Sequence, residues 1–240
     1  MRRRLISLAA AVTLLGAGAS AFAQEIGRLA APLDGAKNAV AETSLGNLVA
    51  DAVRAAGAAT DQVAPAPLLP PSDFAFVQAS ALQPGTVPAG AVAADLARRI
   101  FVLPDEAIVV LQLDSAHITD ALERSLALLP YPNKGFLQVS GLKLRFDPAR
   151  PAGERVLSIA TMPGNTPLAS GRLYRVAMPE SLAAGGLGYF RVFNSAPRQR
   201  IDATLSQALS RFIAANSPLL ARIEERIQAA EGSRAGATPE

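Results

Sequence analysis

Residues 42–57 read ETSLGNLVADAVRAAG. Thr43 or Ser44 can cap a helix with a side-chain oxygen. Leu45, Leu48, Val49, Ala52, Val53 and Ala56 then recur at helical spacing on one face, and Gly57 is a natural stop. The stretch therefore predicts one long amphipathic helix with a broad apolar stripe, a helix made to lie on a sheet.

Working outward, EIGRLAAPLDGAKNAVA (25–41) reads as extended chain before it. After it, ATDQVAPAPLLPPS (59–72) is a Pro/Ala-rich loop. DFAFVQA (73–79) is a short apolar strand, QPGTVPAG (83–90) is turn material and AVAADLARRI (91–100) reads as a short helix. AIVVLQL (107–113) is a continuous apolar run of strand length, the pattern of a strand covered on both faces. DSAHITDALERSLALL (114–129) is a second capped helix, with Ile118, Ala121, Leu122, Leu126 and Leu129 at helical spacing.

FLQVSGLKLRFD (136–147) alternates after Gly141, with Leu142, Leu144 and Phe146 one way and Lys143 and Arg145 the other. RVLSIATM (155–162) and RLYRVAM (172–178) are further strands, followed by the glycine-rich SLAAGGLGYFRVF (181–193). IDATLSQALSRFIAANS (201–217) and PLLARIEERI (218–227) read as amphipathic helices, and 230–240 as a disordered tail. This order predicts an α+β domain, residues 24–229, with a mixed sheet and packed helices.

The first 23 residues combine Arg2, Arg3 and Arg4, an apolar run from Leu5 to Leu15 and the small-residue site Ala21-Phe22-Ala23. That is the pattern of a secretory signal, with cleavage expected near Ala23-Gln24 and a periplasmic or secreted product. Three of the 23 basic residues lie in this segment, which leaves 20 basic against 20 acidic in the remainder. Nothing in that balance asks for nucleic acid, and the apolar run is too short for stable membrane insertion.

Several apparent motifs have plainer readings. Asp114, Ser115 and His117 would sit together in one helix start, where a cap explains them better than a catalytic triad. Ser140 and Lys143 match an acylating S-x-x-K pair, yet on a strand they point to opposite faces. Glu42 and Asp51 are expected as a cap and a solvated helix face, and RIEERI as a charged helix face. Tyr189 and Phe190 are expected to pack in the core at a strand start.

ETSLGNLVADAVR, DFAFV, FVLPDEAIVVLQL with its capped helix, GFLQVSGLKLRFD and LYRVAMPESLAAGGLGYF occur in this order and spacing. Together they resemble the C-terminal domain of bacterial 5'-nucleotidases and UDP-sugar hydrolases, over roughly residues 25–225. The resemblance implies a domain that supplies most of a nucleotide pocket: two aromatic rings stack the base and polar side chains hold the sugar. In that family the hydrolytic metals belong to a separate N-terminal metallophosphatase domain.

The resemblance also implies which positions would line the ligand. Leu187 stands where the family's GGDGY has its Asp, between Gly185, Gly186 and Tyr189. Ser181 stands at the first stacking ring. Pro104, Asp105 and Glu106 align with the PFGN segment that supplies the second ring and an Asn. Gln83 stands at the Arg of GGxR, and Gly135 keeps its family identity. The scaffold is therefore expected to survive with a degenerate pocket. A two-metal phosphoesterase centre draws on several His, Asp and Asn ligands, and this chain has one His and no Cys. No catalytic residue, metal or cofactor is expected. The expected partner is a nucleoside- or nucleotide-like small molecule, or a separately encoded metallophosphatase. A purely structural role is the remaining alternative.

Overall fold

The computed structural model describes residues 24–57 and 72–230. Residues 1–23, where a targeting segment is expected, nearly all of the Pro/Ala-rich stretch and the tail beyond Ala230 lie outside those residues. In chain order the elements are β1 (Glu25–Leu29), β2 (Leu33–Asp34), α1 (Ser44–Ala56), β3 (Phe74–Gln78), β4 (Thr86–Val87), β5 (Gly90–Ala93) and α2 (Leu96–Ile100). Next come β6 (Ala107–Leu113), α3 (Ser115–Leu126), β7 (Leu137–Ser140), β8 (Leu142–Phe146), β9 (Val156–Thr161) and β10 (Tyr174–Pro179). The chain ends with α4 (Glu180–Ala183), α5 (Phe190–Phe193), β11 (Arg198–Thr204), α6 (Leu205–Ala215) and β12 (Ile227–Ala229).

The centre is a five-stranded mixed sheet in the order β11-β6-β10-β3-β7. Only β3 and β10 run parallel, and the other neighbours are antiparallel. Both faces are buried. Ile108 and Val110 of β6, with Ala75 and Val77 of β3, enter a core shared with α1, α2 and α6. Val109, Leu111 and Leu113, with Phe74 and Phe76, enter a second core beneath α3 and α5. A strand covered on both faces has no polar side to show, which is why AIVVLQL is apolar almost throughout.

The predicted α1 is present. Thr43 caps it by accepting the Gly46 N–H at 3.0 Å. A β-carbon on Gly46 would lie 2.1 Å from Oε1 of the buried Gln138, so this turn needs glycine to sit against β7. Gln138 Oε1 accepts the Thr43 N–H, and its Nε2 donates to the Asn38 and Ala41 carbonyls. Beside the main sheet, β8 pairs with β9 and β12 in a three-stranded sheet, and β1–β5 and β2–β4 form two small ribbons.

Five local expectations are corrected. Residues 218–227 are not a helix: the segment runs irregularly into β12. Arg226 is pulled into the protein, where it forks onto Asp51 with two 2.8 Å bonds and also donates to Glu224 and the Val139 carbonyl. Burial alone would push the Arg226 guanidinium down, but the bonds and field of Asp51, then of Glu224, hold it above its ordinary value. Glu42 and Asp51 are accordingly not a cap and a solvated face. Glu42 accepts the backbone N–H groups of Glu224 and Arg226 at 2.7 and 2.6 Å and the Asn47 amide at 2.6 Å. Residues 198–204 form an edge strand where a helix start was expected, and 90–93 form a strand before α2 begins at Leu96. Tyr189 is core, but it opens a helical turn rather than a strand, and Phe190 is 58% exposed.

Asp114 settles the first of the apparent motifs. Its Oδ1 accepts the His117 N–H at 2.9 Å and lies 2.8 Å from His117 Nδ1, so it caps α3. That backbone hydrogen bond, then the contact with the His117 ring, lowers the Asp114 carboxyl below its ordinary range. A depressed carboxyl stabilises the fold above the unfolded-state value and loses that contribution as pH falls through the folded one. Asp114→Ala is therefore expected to cost about 1 kcal/mol at pH 7. In urea titrations the difference from wild type should shrink as the pH is lowered below about 4.

Candidate functional site

Because β3 and β10 are parallel and β6 and β7 oppose them, four chain ends meet at one edge of the sheet. β3 and β10 finish there, at Gln78 and Pro179, while β6 and β7 begin there, at Ala107 and Leu137. The 3-10 turn Ala79–Ala81 is laced to the next turn by the Ala79 N–H on the Phe136 carbonyl and the Ser80 N–H on the Lys134 carbonyl. On its other side the Val102 N–H reaches the Ala81 carbonyl, which draws in residues 101–106. Pro104, Glu106, Gly135, Ser181 and the glycine loop all gather at this edge. Gln83 is exposed beyond it, held by its own N–H on the Ile100 carbonyl.

The glycine loop is a tight turn held from within. Gly185 has φ +90°, and a β-carbon there would lie 2.4 Å from the Phe190 Cα. Leu187 adopts φ +59°, a conformation that side chains disfavour. Its carbonyl accepts Arg124 Nη2 at 2.6 Å. The Arg124 guanidinium also lies 5.8 Å over the Tyr189 ring, and that ring stacks on Phe193 at 5.3 Å. The Tyr189 hydroxyl donates to the Gly135 carbonyl at 2.6 Å. Burial pushes its phenol far above the usual tyrosine range, against the pull of Arg124. Tyr189 is therefore a neutral structural pin that ties the loop to the Gly135 turn. At the loop tip stands the apolar, partly exposed Leu187.

Next to the loop lies an open cleft of about 570 Å³, lined by Leu103, Pro104, Glu106, Ser181, Ala184 and Arg200 among others. Glu106 Oε1 accepts the Ser181 N–H at 2.7 Å. Ser181 Oγ accepts Gln78 Nε2 at 3.0 Å. Asp105 and Glu180 also line the cleft, and Arg200 sits 3.8 Å from Glu180. Three carboxylates against one guanidinium give the cleft an excess of negative charge, which opposes a phosphate. The two residues at the expected stacking positions, Pro104 and Ser181, carry no ring.

Among the described residues no group of three or more His, Cys, Asp or Glu side chains is placed to hold a metal ion. No helix among them is long and apolar enough to cross a membrane. Sequence reasoning missed Arg124, Gln78 and Glu180. Gln78 ends β3 and Glu180 follows β10 directly, so strand ends at a shared sheet edge were the available signal. Arg124 reads only as an exposed position of α3.

Comparison with known proteins places this geometry. A family model described as "5'-nucleotidase, C-terminal domain" matches residues 23–195. The solved 5'-nucleotidase precursor of Thermus thermophilus superposes with a TM-score of 0.73 at 27% identity, covering 87% of this chain and 40% of that one. The NAD nucleotidase of Haemophilus influenzae superposes at 0.69 with 12% identity, covering 87% and 38%, a likeness of fold alone. Bos taurus 5'-nucleotidase is 26% identical over 130 residues, which are 52% of this chain and 23% of that protein. The chain thus spans about a quarter of that curated relative and about two fifths of the solved structures.

Proposed function

This chain belongs to the family of 5'-nucleotidase C-terminal domains, and from that premise we propose that it is a binding or interaction module whose nucleotide pocket is degenerate and which does not hydrolyse nucleotides by itself. The observation that carries this reading is the Glu106–Ser181 bond. At the edge where the resemblance places two stacking rings, neither position carries a ring, and a carboxylate two residues after Pro104 is folded onto the backbone of Ser181. Stacking contributes about 1–3 kcal/mol per base, and the family's Asp and Arg would each add charge-assisted bonds. Here Leu187 and Gln83 stand at those positions. His117, the single histidine of the chain, is spent on the cap of α3.

The purified protein should release no phosphate from AMP or UDP-glucose, with or without added Mn²⁺ or Zn²⁺. AMP should leave its melting midpoint unchanged, since any ligand that binds only the native state raises it by mass action. Metal-dependent turnover would refute the reading, and an AMP-induced rise would restore the nucleotide pocket. Residues 1–23 support export: protein recovered from a periplasmic fraction should have a mass that begins at Gln24.

A second reading has its own observation. Leu103 and Phe190, 59% and 58% exposed, stand at and near the cleft, and the Thermus relative has more than half of its chain outside the matched region. A separately encoded metallophosphatase would cover these side chains and rebuild a nucleotidase in trans. Co-purification and a rate gain on mixing would support it, and neither is expected if the domain acts alone.

A further inference from the structure

The three-stranded sheet carries a second concavity, on a different sheet from the cleft. β8 turns Leu142, Leu144 and Phe146 into the core and Lys143 and Arg145 outward. Arg145 pairs with Ser158 of β9 on one side and Gln228 of β12 on the other, and Lys143 pairs with Ala160. The small Ser158 and Ala160 keep the floor low, and Asn165, from the turn after β9, joins the lining of a trough of about 420 Å³. Among the described residues its lining holds two cations and no carboxylate. Among the described residues Lys143 and Arg145 take part in no ion pair or side-chain hydrogen bond. Asp147, next on the same side of the strand, is turned to the Ala149 N–H and to Arg150.

We propose that this trough is an oxyanion site that takes a phosphate ester. Same-side neighbours on a strand are about 6.6 Å apart, so both long side chains reach a single phosphate. Arg145 offers a planar fork matched to two of its oxygens and Lys143 a point charge. Ser158, Asn165 and Gln228 supply neutral polar groups around it. The site stands independently of the nucleotide-pocket reading, because it uses none of those residues.

Pyrophosphate is the probe. Calorimetric titration at low ionic strength should give saturable binding that weakens at least tenfold in 0.5 M NaCl, as screening requires. The double variant Lys143→Gln, Arg145→Gln should lose at least tenfold in affinity. Ser158→Asp, which keeps both cations but puts a carboxylate on the floor, should lose as much. All three side chains are outward-facing, so the melting midpoints of these variants should match wild type. In a parallel arm, sedimentation with phosphatidylglycerol vesicles tests a lipid headgroup as the source of the phosphate. Vesicle binding that the double variant abolishes, without pyrophosphate binding, assigns the site to lipid. Failure of both probes, or equal binding by the double variant, overturns the proposal.

Discussion

Arg226→Ala is expected to destabilise the protein by about 3 kcal/mol, read as a lower urea midpoint at pH 7. The Arg226 side chain is only 5% exposed, and its five donors are spent on Asp51, Glu224 and the Val139 carbonyl. Truncation leaves a buried Val139 carbonyl without its partner and removes the clasp between α1, β7 and the C-terminal segment. Asp51 and Glu224 are partly exposed, so water recovers some of the loss, which sets the figure at the lower end for a broken buried pair. Arg226→Lys keeps the charge but not the fork, and should fall between the two. Limited proteolysis should then cut first between residues 216 and 226. A loss below about 0.5 kcal/mol would mean that the segment is held by Leu219 and the Glu42 backbone bonds instead.

Gly185→Ala is the other large effect, with an expected cost of about 3 kcal/mol. The φ of +90° strains any L residue, which accounts for about 1–3 kcal/mol. The added methyl must also displace Phe190 backbone, because it would stand 2.4 Å from the Phe190 Cα. That displacement loosens Tyr189 and its stack on Phe193, so near-ultraviolet circular dichroism should weaken along with the melting midpoint. Tyr189→Phe keeps the stack and removes only the bond to the Gly135 carbonyl, so it should cost about 1 kcal/mol.

The architecture was legible wherever burial is periodic and local. α1 announces itself by cap, stripe and stop, β6 by an apolar run that serves two cores, and β8 by strict alternation. What misled was polarity that only a distant partner resolves. LLARIEERI has helical spacing, but Arg226 answers to Asp51, 175 residues earlier. The edge strand at 198–204 alternates Arg198, Arg200 and Asp202 outward against Ile201 and Ala203 inward. Its end was marked by a capping box, Thr204 with Gln207, which puts the helix start at Leu205 and leaves the preceding residues to a strand.

At the site, alignment to the family named positions that the fold does gather at one edge, Gln83 excepted. It could not tell what those positions do to one another. That Glu106 bonds the Ser181 backbone, and that Tyr189 pins the Gly135 turn, depends on contacts across 75 and 54 residues. Neither contact leaves a mark in local sequence.

The strand order has a consequence for how the molecule comes to exist. β10 is inserted between β6 and β3, both of which are made at least sixty residues before it. Until residues 174–179 arrive, β6 and β3, which each feed both hydrophobic layers, have an empty place between them and cannot join one sheet. Assembly is therefore committed to distant pairings and waits on the last third of the chain, which makes it slow beside helical domains of equal size.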